Sequence, residues 1–136
     1  MNLDYFKQNN KKTLITFGGA YSNHLHATAF MGKELSIKTV GIVRGEQFLP
    51  LNRTLKDCIK WGMVIEPVSR IVYKEKNSAL EIKRIINNYL DPYVIPEGGA
   101  NLLGLKGCEN ILLGVDQSQY DLIVLACGTG TTLAGL

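Results

Sequence analysis

Short runs of β-branched and other apolar residues alternate along this chain with longer stretches of helical period. The runs at residues 13–17, 38–43, 63–68, 93–95 and 122–126 are predicted strands. Such alternation is typical of βαβ units, in which helices cover both faces of a parallel sheet. The last run, LIVLA, is apolar on both of its faces, so we predict a central, deeply buried strand there. The sequence therefore predicts a three-layer α/β fold with a mainly parallel sheet.

Two helices are predicted between these strands. The first has one apolar stripe, formed by Leu51, Leu55, Cys58 and Ile59. Gly62 follows it, where a left-handed C-terminal cap is expected. The second helix is predicted to begin at a capping box, because Ser78 and Glu81 have the Ser-x-x-Glu spacing. Its apolar face consists of Ile82, Ile85, Ile86 and Tyr89.

Composition excludes several classes of function. The 136 residues are 46% hydrophobic and 20% charged, which predicts a folded domain rather than disorder. The net charge of +3 is scattered, so no basic stripe indicates a nucleic-acid partner. No apolar run approaches the ~20 residues that cross a bilayer, and the first dozen residues lack the apolar core of a secretory leader. Cys58, Cys108 and Cys127 have no CxxC spacing and are predicted to be reduced thiols in a cytoplasmic protein.

A threonine-rich segment, CGTGTT at residues 127–132, follows the last predicted strand; we call it the threonine loop. Glycines there allow successive N–H groups to converge, and the threonines add hydroxyl donors, which together suit a phosphate group. An ordinary βα turn with a threonine cap explains the spacing equally well. The segment matches neither GxGxxG nor GxxxxGK[ST], which disfavours dinucleotide and triphosphate binding.

A second glycine-bearing segment, GGAYSNH at residues 18–24, lies where a strand ends and a helix begins; we call it the Ser-Asn corner. Side-chain oxygens of Ser22 and Asn23 and free N–H groups at a helix start could hold a carboxylate. For an isolated Ser-Asn pair, a simple helix N-cap is the more common explanation. His24 and His26 are two residues apart on the predicted helix and would point in different directions, so we predict no metal site.

The third segment, PEGGAN at residues 96–101, is predicted to turn sharply between a short strand and a helix; we call it the glycine turn. Gly104 and Gly107 in the following helix would allow close approach to another backbone. Alone, this segment indicates packing rather than chemistry.

Taken together and in this order, the three segments resemble the 1-aminocyclopropane-1-carboxylate deaminase and D-cysteine desulfhydrase family of pyridoxal-phosphate enzymes, which has the fold of the tryptophan synthase β chain. The resemblance extends through TFGGAYSNHLHATA, GIVRGE, NRTLKDCIKWGM, VSRIVYKEK, IPEGGAN and LACGTGTTLAGL. Serine dehydratases and cysteine synthases usually have Ser-x-Gly-Asn-His instead. Because Asn23 directly follows Ser22 here, the resemblance favours the deaminase and desulfhydrase branch.

The resemblance implies a role for each site residue. Asn23 would bind the 3-oxygen of the pyridine ring, and Ser22 would contact the substrate carboxylate and assist ring attack or proton movement. His24 would contribute its backbone N–H to substrate binding. The cofactor phosphate would be held by Gly128, Thr129, Gly130, Thr131 and Thr132. Pyridoxal phosphate would act as the electron sink.

The resemblance also leads us to expect a partial enzyme. The family attaches its cofactor through a lysine in a GNKxRKL-like segment a little over two dozen residues before the Ser-Asn pair. Lys7, Lys11 and Lys12 lack that context, so we predict that the chain is inactive by itself. Residues 1–100 would form most of a smaller domain and residues 101–136 the start of a truncated larger one. We also expect a homodimer for the intact enzyme and marginal stability for this chain.

The leading functional prediction is a part of an enzyme that degrades a small amino acid, of the D-cysteine or 1-aminocyclopropane-1-carboxylate type, to a 2-oxo acid and ammonia. The alternative is a non-catalytic α/β module that binds a phosphorylated small molecule or a partner chain. The sequence does not separate the two amino-acid substrates.

Overall fold

Four parallel strands form the sheet in the computed structural model, which describes residues 1–45 and 50–136. They are β1 Thr13–Gly18, β2 Lys38–Arg44, β3 Val64–Val68 and β4 Pro92–Ile95, in the order β3-β2-β1-β4. Thr13 at the start of β1 lies opposite Lys38 on one side and Pro92 on the other. These four strands were predicted and are confirmed. Glu46, at the end of the GIVRGE stretch, lies outside the described residues.

Seven α-helices and three short 3-10 helices are found in the described residues. The α-helices are α1 Asn2–Gln8, α2 Asn23–Glu34, α3 Arg53–Lys60, α4 Arg70–Glu75, α5 Leu80–Asn87, α6 Leu102–Cys108 and α7 Thr131–Gly135. The 3-10 helices are Lys76–Ser78, Glu97–Gly99 and Gln117–Gln119. No described helix is long and apolar enough to cross a membrane.

Helices cover both faces of the sheet, which confirms the three-layer prediction. On one face, α4 and α5 bury Tyr73 and Ile82 against Ile15, Phe17, Val40 and Ile42. On the other, α2 and α3 bury Leu25, Leu55 and Cys58 with Val43 and Met63. Phe6 of α1 packs on Leu14 of β1 and Ile95 of β4. The apolar side chains of β1 and β2 therefore point alternately into two separate layers of core.

The prediction of a fifth, deeply buried strand at residues 122–126 is wrong. The segment has no strand assignment, and Leu122, Ile123 and Val124 are 75%, 54% and 85% exposed. A strand needs a neighbour that takes its backbone N–H and C=O groups, and no described residue pairs with this segment. The apolar pattern of LIVLA indicated a sequence suited to burial but did not specify a partner strand.

The predicted stripe of α3 is confirmed in part. Leu55 and Cys58 are fully buried and Leu51 packs beside them, whereas Ile59 is 45% exposed because it lies at the edge of the stripe. Gly62 has φ +88°, as predicted for a left-handed residue after the helix.

The predicted capping box of α5 is wrong. The helix begins at Leu80 after Ala79, which has no side-chain oxygen to cap it. Ser78 instead donates its hydroxyl to the Glu75 carbonyl, 2.6 Å away, because it ends the preceding 3-10 helix. The predicted apolar face is confirmed: Ile82 is buried, and Ile85, Ile86 and Tyr89 pack against the same core.

Candidate functional site

The strand order places a crevice between the carboxyl ends of β1 and β4. The chain proceeds from β1 outward to β2 and β3, and then returns to the other side of β1 to form β4. In open parallel sheets, ligands bind at this reversal point, outside the carboxyl ends of the strands. The Ser-Asn corner follows β1 and the glycine turn follows β4. Both segments therefore lie at the edge where the fold favours a ligand.

The Ser-Asn corner begins α2. Ser22 is the N-cap, and its Oγ accepts a hydrogen bond from the Leu25 N–H at 3.2 Å. The simple N-cap explanation is therefore confirmed for Ser22, although this contact leaves its hydroxyl proton free to donate. The backbone N–H groups of Asn23 and His24 have no acceptor among the described residues, and the Asn23 side chain is exposed. Free N–H groups at the start of a twelve-residue helix suit a carboxylate.

His24 fastens the Ser-Asn corner to the sheet. Its Nε2 lies 2.7 Å from the Thr16 Oγ1, and the Thr16 hydroxyl donates to the Ile95 carbonyl at 3.0 Å. Because a hydroxyl has only one proton, the His24 Nε2 must carry the proton of its bond to Thr16. Burial lowers the pKa of His24, although the charge of Glu97 opposes the shift. The side chain is therefore a neutral imidazole with a protonated Nε2 at neutral pH.

His26 points elsewhere, as predicted from the spacing of the two histidines. Its Nε2 lies 3.1 Å from an Asp57 carboxylate oxygen, and its ring packs on Trp61 with ring centroids 4.6 Å apart. Within residues 1–45 and 50–136, no cluster of three His, Cys, Asp or Glu side chains could hold a metal ion.

The glycine turn contacts both of the other glycine-bearing segments. Gly98 and Gly99 have φ values of +64° and +69°, which favour glycine. A Cβ at Gly98 would lie 2.5 Å from the Thr129 Oγ1, and one at Gly99 would lie 3.6 Å from the His24 Cε1. The Ser-Asn corner and the threonine loop therefore flank one turn. From the sequence, this turn was predicted to serve packing only, although a glycine pair directly after a strand was a usable signal.

The following helix approaches the glycine turn closely at one of the two predicted glycines. A Cβ at Gly104 would lie 1.9 Å from the Gly99 carbonyl oxygen, so the close backbone approach is confirmed there. At Gly107 the prediction is wrong, because the nearest atom would be the Met1 Cγ at 3.9 Å, an ordinary side-chain contact.

The threonine loop presents a set of free donors. Its backbone N–H groups at residues 128–132 bond to no acceptor in the described part of the chain. Gly130 has φ +80°, and apart from the adjoining residues no described atom lies within 4 Å of where a Cβ would stand at Gly128 or Gly130. Thr129 and Thr131 share a hydrogen bond of 2.9 Å between their hydroxyls. Open space bounded by N–H and O–H groups suits a phosphate.

No family model matches the chain. Several known proteins have similar sequences, and their names all refer to the two activities of one enzyme family. A Thermotoga maritima protein named for 1-aminocyclopropane-1-carboxylate deaminase is 37% identical over 91% of this chain and 41% of its own length. The Arabidopsis thaliana mitochondrial bifunctional D-cysteine desulfhydrase/1-aminocyclopropane-1-carboxylate deaminase is 30% identical over 91% of this chain and 35% of its own length. A D-cysteine desulfhydrase of Klebsiella pneumoniae is 32% identical over 91% of this chain and 41% of its own length.

Solved structures agree with the sequence comparisons. A crystal structure of an ACC deaminase homologue matches 98% of this chain and 42% of its own, with a TM-score of 0.79 and 29% identity. A hydrogen sulfide-producing enzyme has the same fold over 98% of this chain, with a TM-score of 0.65 and 20% identity. The chain spans about two fifths of the length of these relatives. The resemblance predicted from the sequence is thus confirmed: over about nine tenths of its length, the chain is homologous to proteins named 1-aminocyclopropane-1-carboxylate deaminase and D-cysteine desulfhydrase.

Proposed function

We propose that this chain forms part of a pyridoxal-phosphate enzyme that degrades a small amino acid, of the D-cysteine or 1-aminocyclopropane-1-carboxylate type, to a 2-oxo acid and ammonia. One observation carries the proposal: the glycine turn lies between His24 and Thr129, so that a Cβ on Gly99 would contact His24 and a Cβ on Gly98 would meet Thr129. This arrangement supports the proposal because it brings the Ser-Asn corner, which would bind a carboxylate, and the threonine loop, which would bind a phosphate, to two sides of one turn. The names of the relatives supply the chemistry.

The residues fit the proposed cofactor. The free N–H groups at residues 128–132 and the hydroxyls of Thr129, Thr131 and Thr132 would hold its phosphate, with Gly128 and Gly130 leaving the required space. The exposed amide of Asn23 would bind the ring 3-oxygen. When bound, pyridoxal phosphate withdraws electrons from the bonds at the substrate Cα.

The Ser-Asn corner would bind and orient the substrate. The hydroxyl of Ser22 and the N–H groups of Asn23 and His24 would hold the carboxylate, and Ser22 Oγ would hold or move a proton during the reaction. The His24 imidazole would act as a positioning group, because its bond to Thr16 fixes the first turn of α2 against the sheet. His24 therefore has a side-chain role in addition to its backbone N–H.

We further propose that none of Lys7, Lys11 and Lys12 carries the cofactor, so the chain alone is inactive. Lys11 and Lys12 directly precede β1, whereas the Ser-Asn corner follows it. A six-residue strand separates these two edges of the sheet by roughly 16 Å. We propose a boundary near residue 100 between a smaller domain and the start of a larger one. A cytoplasmic homodimer is the proposed state of the whole enzyme.

A cofactor titration tests this function. The chain is mixed with pyridoxal phosphate, its visible spectrum is recorded, and borohydride reduction is followed by peptide mass analysis. We expect weak binding that inorganic phosphate displaces and no modified peptide containing Lys7, Lys11 or Lys12. Thr129→Val should weaken binding about fivefold, because it removes one hydroxyl from the loop. Thr54→Val on α3, away from the loop, is the matched control and should leave binding unchanged.

Each other outcome contradicts a named part of the proposal. A reduced adduct at one of those three lysines would refute the statement about the cofactor lysine. Binding that Thr129→Val and Thr54→Val affect equally would refute the threonine loop as the phosphate site. Absence of cofactor binding together with self-association would instead favour the non-catalytic module.

A further inference from the structure

A polar cleft of about 740 Å³ is lined in part by the Ser-Asn corner, and the proposed function gives no role to the charged side chains on its other walls. The backbone of Gly19 and Ala20 forms one wall. Arg44, at the end of β2, and residues of α4 form the others, and the Arg44 guanidinium lies 3.6 Å from where a Cβ at Gly19 would stand. The cleft therefore shares a wall with the corner but contains no residue of the threonine loop.

The lining of this cleft is strongly cationic. Its charged side chains are Arg44, Arg70, Lys74, Lys76 and Glu97. Lys76 and Glu97 form an ion pair of 3.0 Å, which neutralises both groups. The two arginines and Lys74 have no carboxylate within ion-pair distance in the described part of the chain. Three positive charges without an ion-pair partner among the described residues thus line one open cleft, which favours an anion.

A buried hydroxyl at the cleft makes no hydrogen bond of ordinary geometry to any described residue. Tyr73 is 3% exposed, and its ring packs edge-on against Phe17 and beneath the Arg44 guanidinium. Burial raises the pKa of Tyr73, and the nearby Glu97 adds to the shift, so the hydroxyl keeps its proton at neutral pH. Although Glu97 is close, no described residue accepts a hydrogen bond of good geometry from this hydroxyl. A buried hydroxyl without a well-formed hydrogen bond is able to donate to a bound acceptor.

We propose that this cleft binds a small anionic molecule through a carboxylate or phosphate group, held by Arg44, Arg70 and the Tyr73 hydroxyl. Guanidinium groups bind such planar or tetrahedral oxyanions through paired N–H donors. Lys74 adds charge at the rim. None of the residues that line this cleft belongs to the threonine loop, which is proposed to hold the cofactor phosphate.

The test is a nuclear magnetic resonance titration of the full chain with succinate and, separately, with inorganic phosphate. We expect saturable shifts at the amides of Gly19 and Ala20 with at least one probe. The probe that binds more tightly identifies the source of the anion as a dicarboxylate or a phosphate compound. Phosphate can also shift the amides of Gly128 and Gly130, so signals at the two places separate this site from the cofactor loop.

Matched variants give the test its specificity. Arg44→Gln and Arg70→Gln should each weaken binding about tenfold, because each removes a charged donor. Arg84→Gln, on the exposed side of α5, makes the same chemical change outside the cleft and should leave the affinity unchanged. Equal weakening in all three variants, or no saturable shift at Gly19 and Ala20 with either probe, would overturn the proposal.

Tyr73→Phe supplies a second, independent measurement. It should weaken anion binding severalfold, yet leave the unliganded chain as stable as before or more stable, because it removes an unpartnered buried donor. A less stable unliganded chain would mean that the hydroxyl already has a partner, and the proposed role of Tyr73 would then be refuted.

Discussion

At the residue scale, His24 links the sheet to the site. Its Nε2–H donates to Thr16, whose own proton goes to Ile95, so one side chain joins α2, β1 and β4. The sequence showed a histidine beside the Ser-Asn pair, but only the pairing of β1 with β4 brings the Ile95 carbonyl to Thr16. Its tautomer could therefore not be predicted from the sequence.

The lowered pKa of His24 predicts a pH-dependent stability. Below its ordinary value of 6.5, the unfolded chain binds the proton more readily than the folded chain does. The free energy of unfolding should therefore fall as the pH falls from about 7.5 to about 5.5. His24→Gln, which keeps a donor for Thr16, should flatten this dependence in urea titrations. His26→Gln is the control and should retain it; equal slopes in the native chain and His24→Gln would contradict the assignment.

Gly98 predicts a second residue-scale effect. Gly98→Ala should destabilise the chain for two reasons. An alanine would have to adopt a left-handed backbone conformation, and its Cβ would lie 2.5 Å from the Thr129 Oγ1. Gly62 also has a positive φ, but a Cβ there would have no described neighbour within 4 Å. Gly62→Ala therefore measures the backbone cost alone, roughly 1–2 kcal/mol. Chemical denaturation should show a larger loss for Gly98→Ala. Equal losses of unfolding free energy in the two variants would mean that a Cβ at residue 98 does not clash with Thr129.

At the scale of elements, α3 supports the Ser-Asn corner through its cap. Asn52 accepts from the Leu55 N–H at 2.9 Å and donates its amide to the Ala20 carbonyl at 2.8 Å. One side chain thus begins a helix and ties it to the corner. The stripe of α3 was predictable from helical period, but the tie to Ala20 spans 32 residues and depends on the packing of α2 on α3.

Two substitutions of Asn52 separate these functions. Asn52→Ser keeps a cap oxygen but loses the bond to Ala20, and should cost about 1 kcal/mol of unfolding free energy. Asn52→Ala loses both contacts and should cost about 2 kcal/mol. Urea unfolding measures the two losses, and the Ala20 amide resonance should shift in both variants. If both variants were equally stable, the helix cap would contribute nothing.

At the scale of the whole molecule, the packed core lies within the four-stranded sheet and its covering helices. Residues 122–126 lie outside it, with exposed apolar side chains. Marginal stability stays a prediction, and it cannot rest on a buried central strand at residues 122–126, because Leu122, Ile123 and Val124 are exposed. The exposed segment instead predicts an apolar surface that binds dyes or other apolar molecules.

Substitutions inside and outside this core test that division. Replacing Leu122 and Val124 together by lysine should change the free energy of unfolding by less than about 0.5 kcal/mol and reduce the binding of an apolar fluorescent dye. Ile42→Ala, within the fully buried part of β2, should cost about 2–5 kcal/mol. Thermal and urea unfolding compare the two. A similar loss in both variants would show that the segment is packed.

Local sequence was enough to predict the order of the four strands along the chain, the apolar faces of α3 and α5, and the resemblance of the three glycine-bearing segments to one enzyme family. These features depend on neighbouring residues and their periods, which local sequence records. The packed structure was needed to show that β4 lies beside β1, that the glycine turn lies between His24 and Thr129, and that Tyr73 and Arg44 line one cleft. Those contacts join residues far apart in the chain, and they depend on the packing of whole elements rather than on any local pattern.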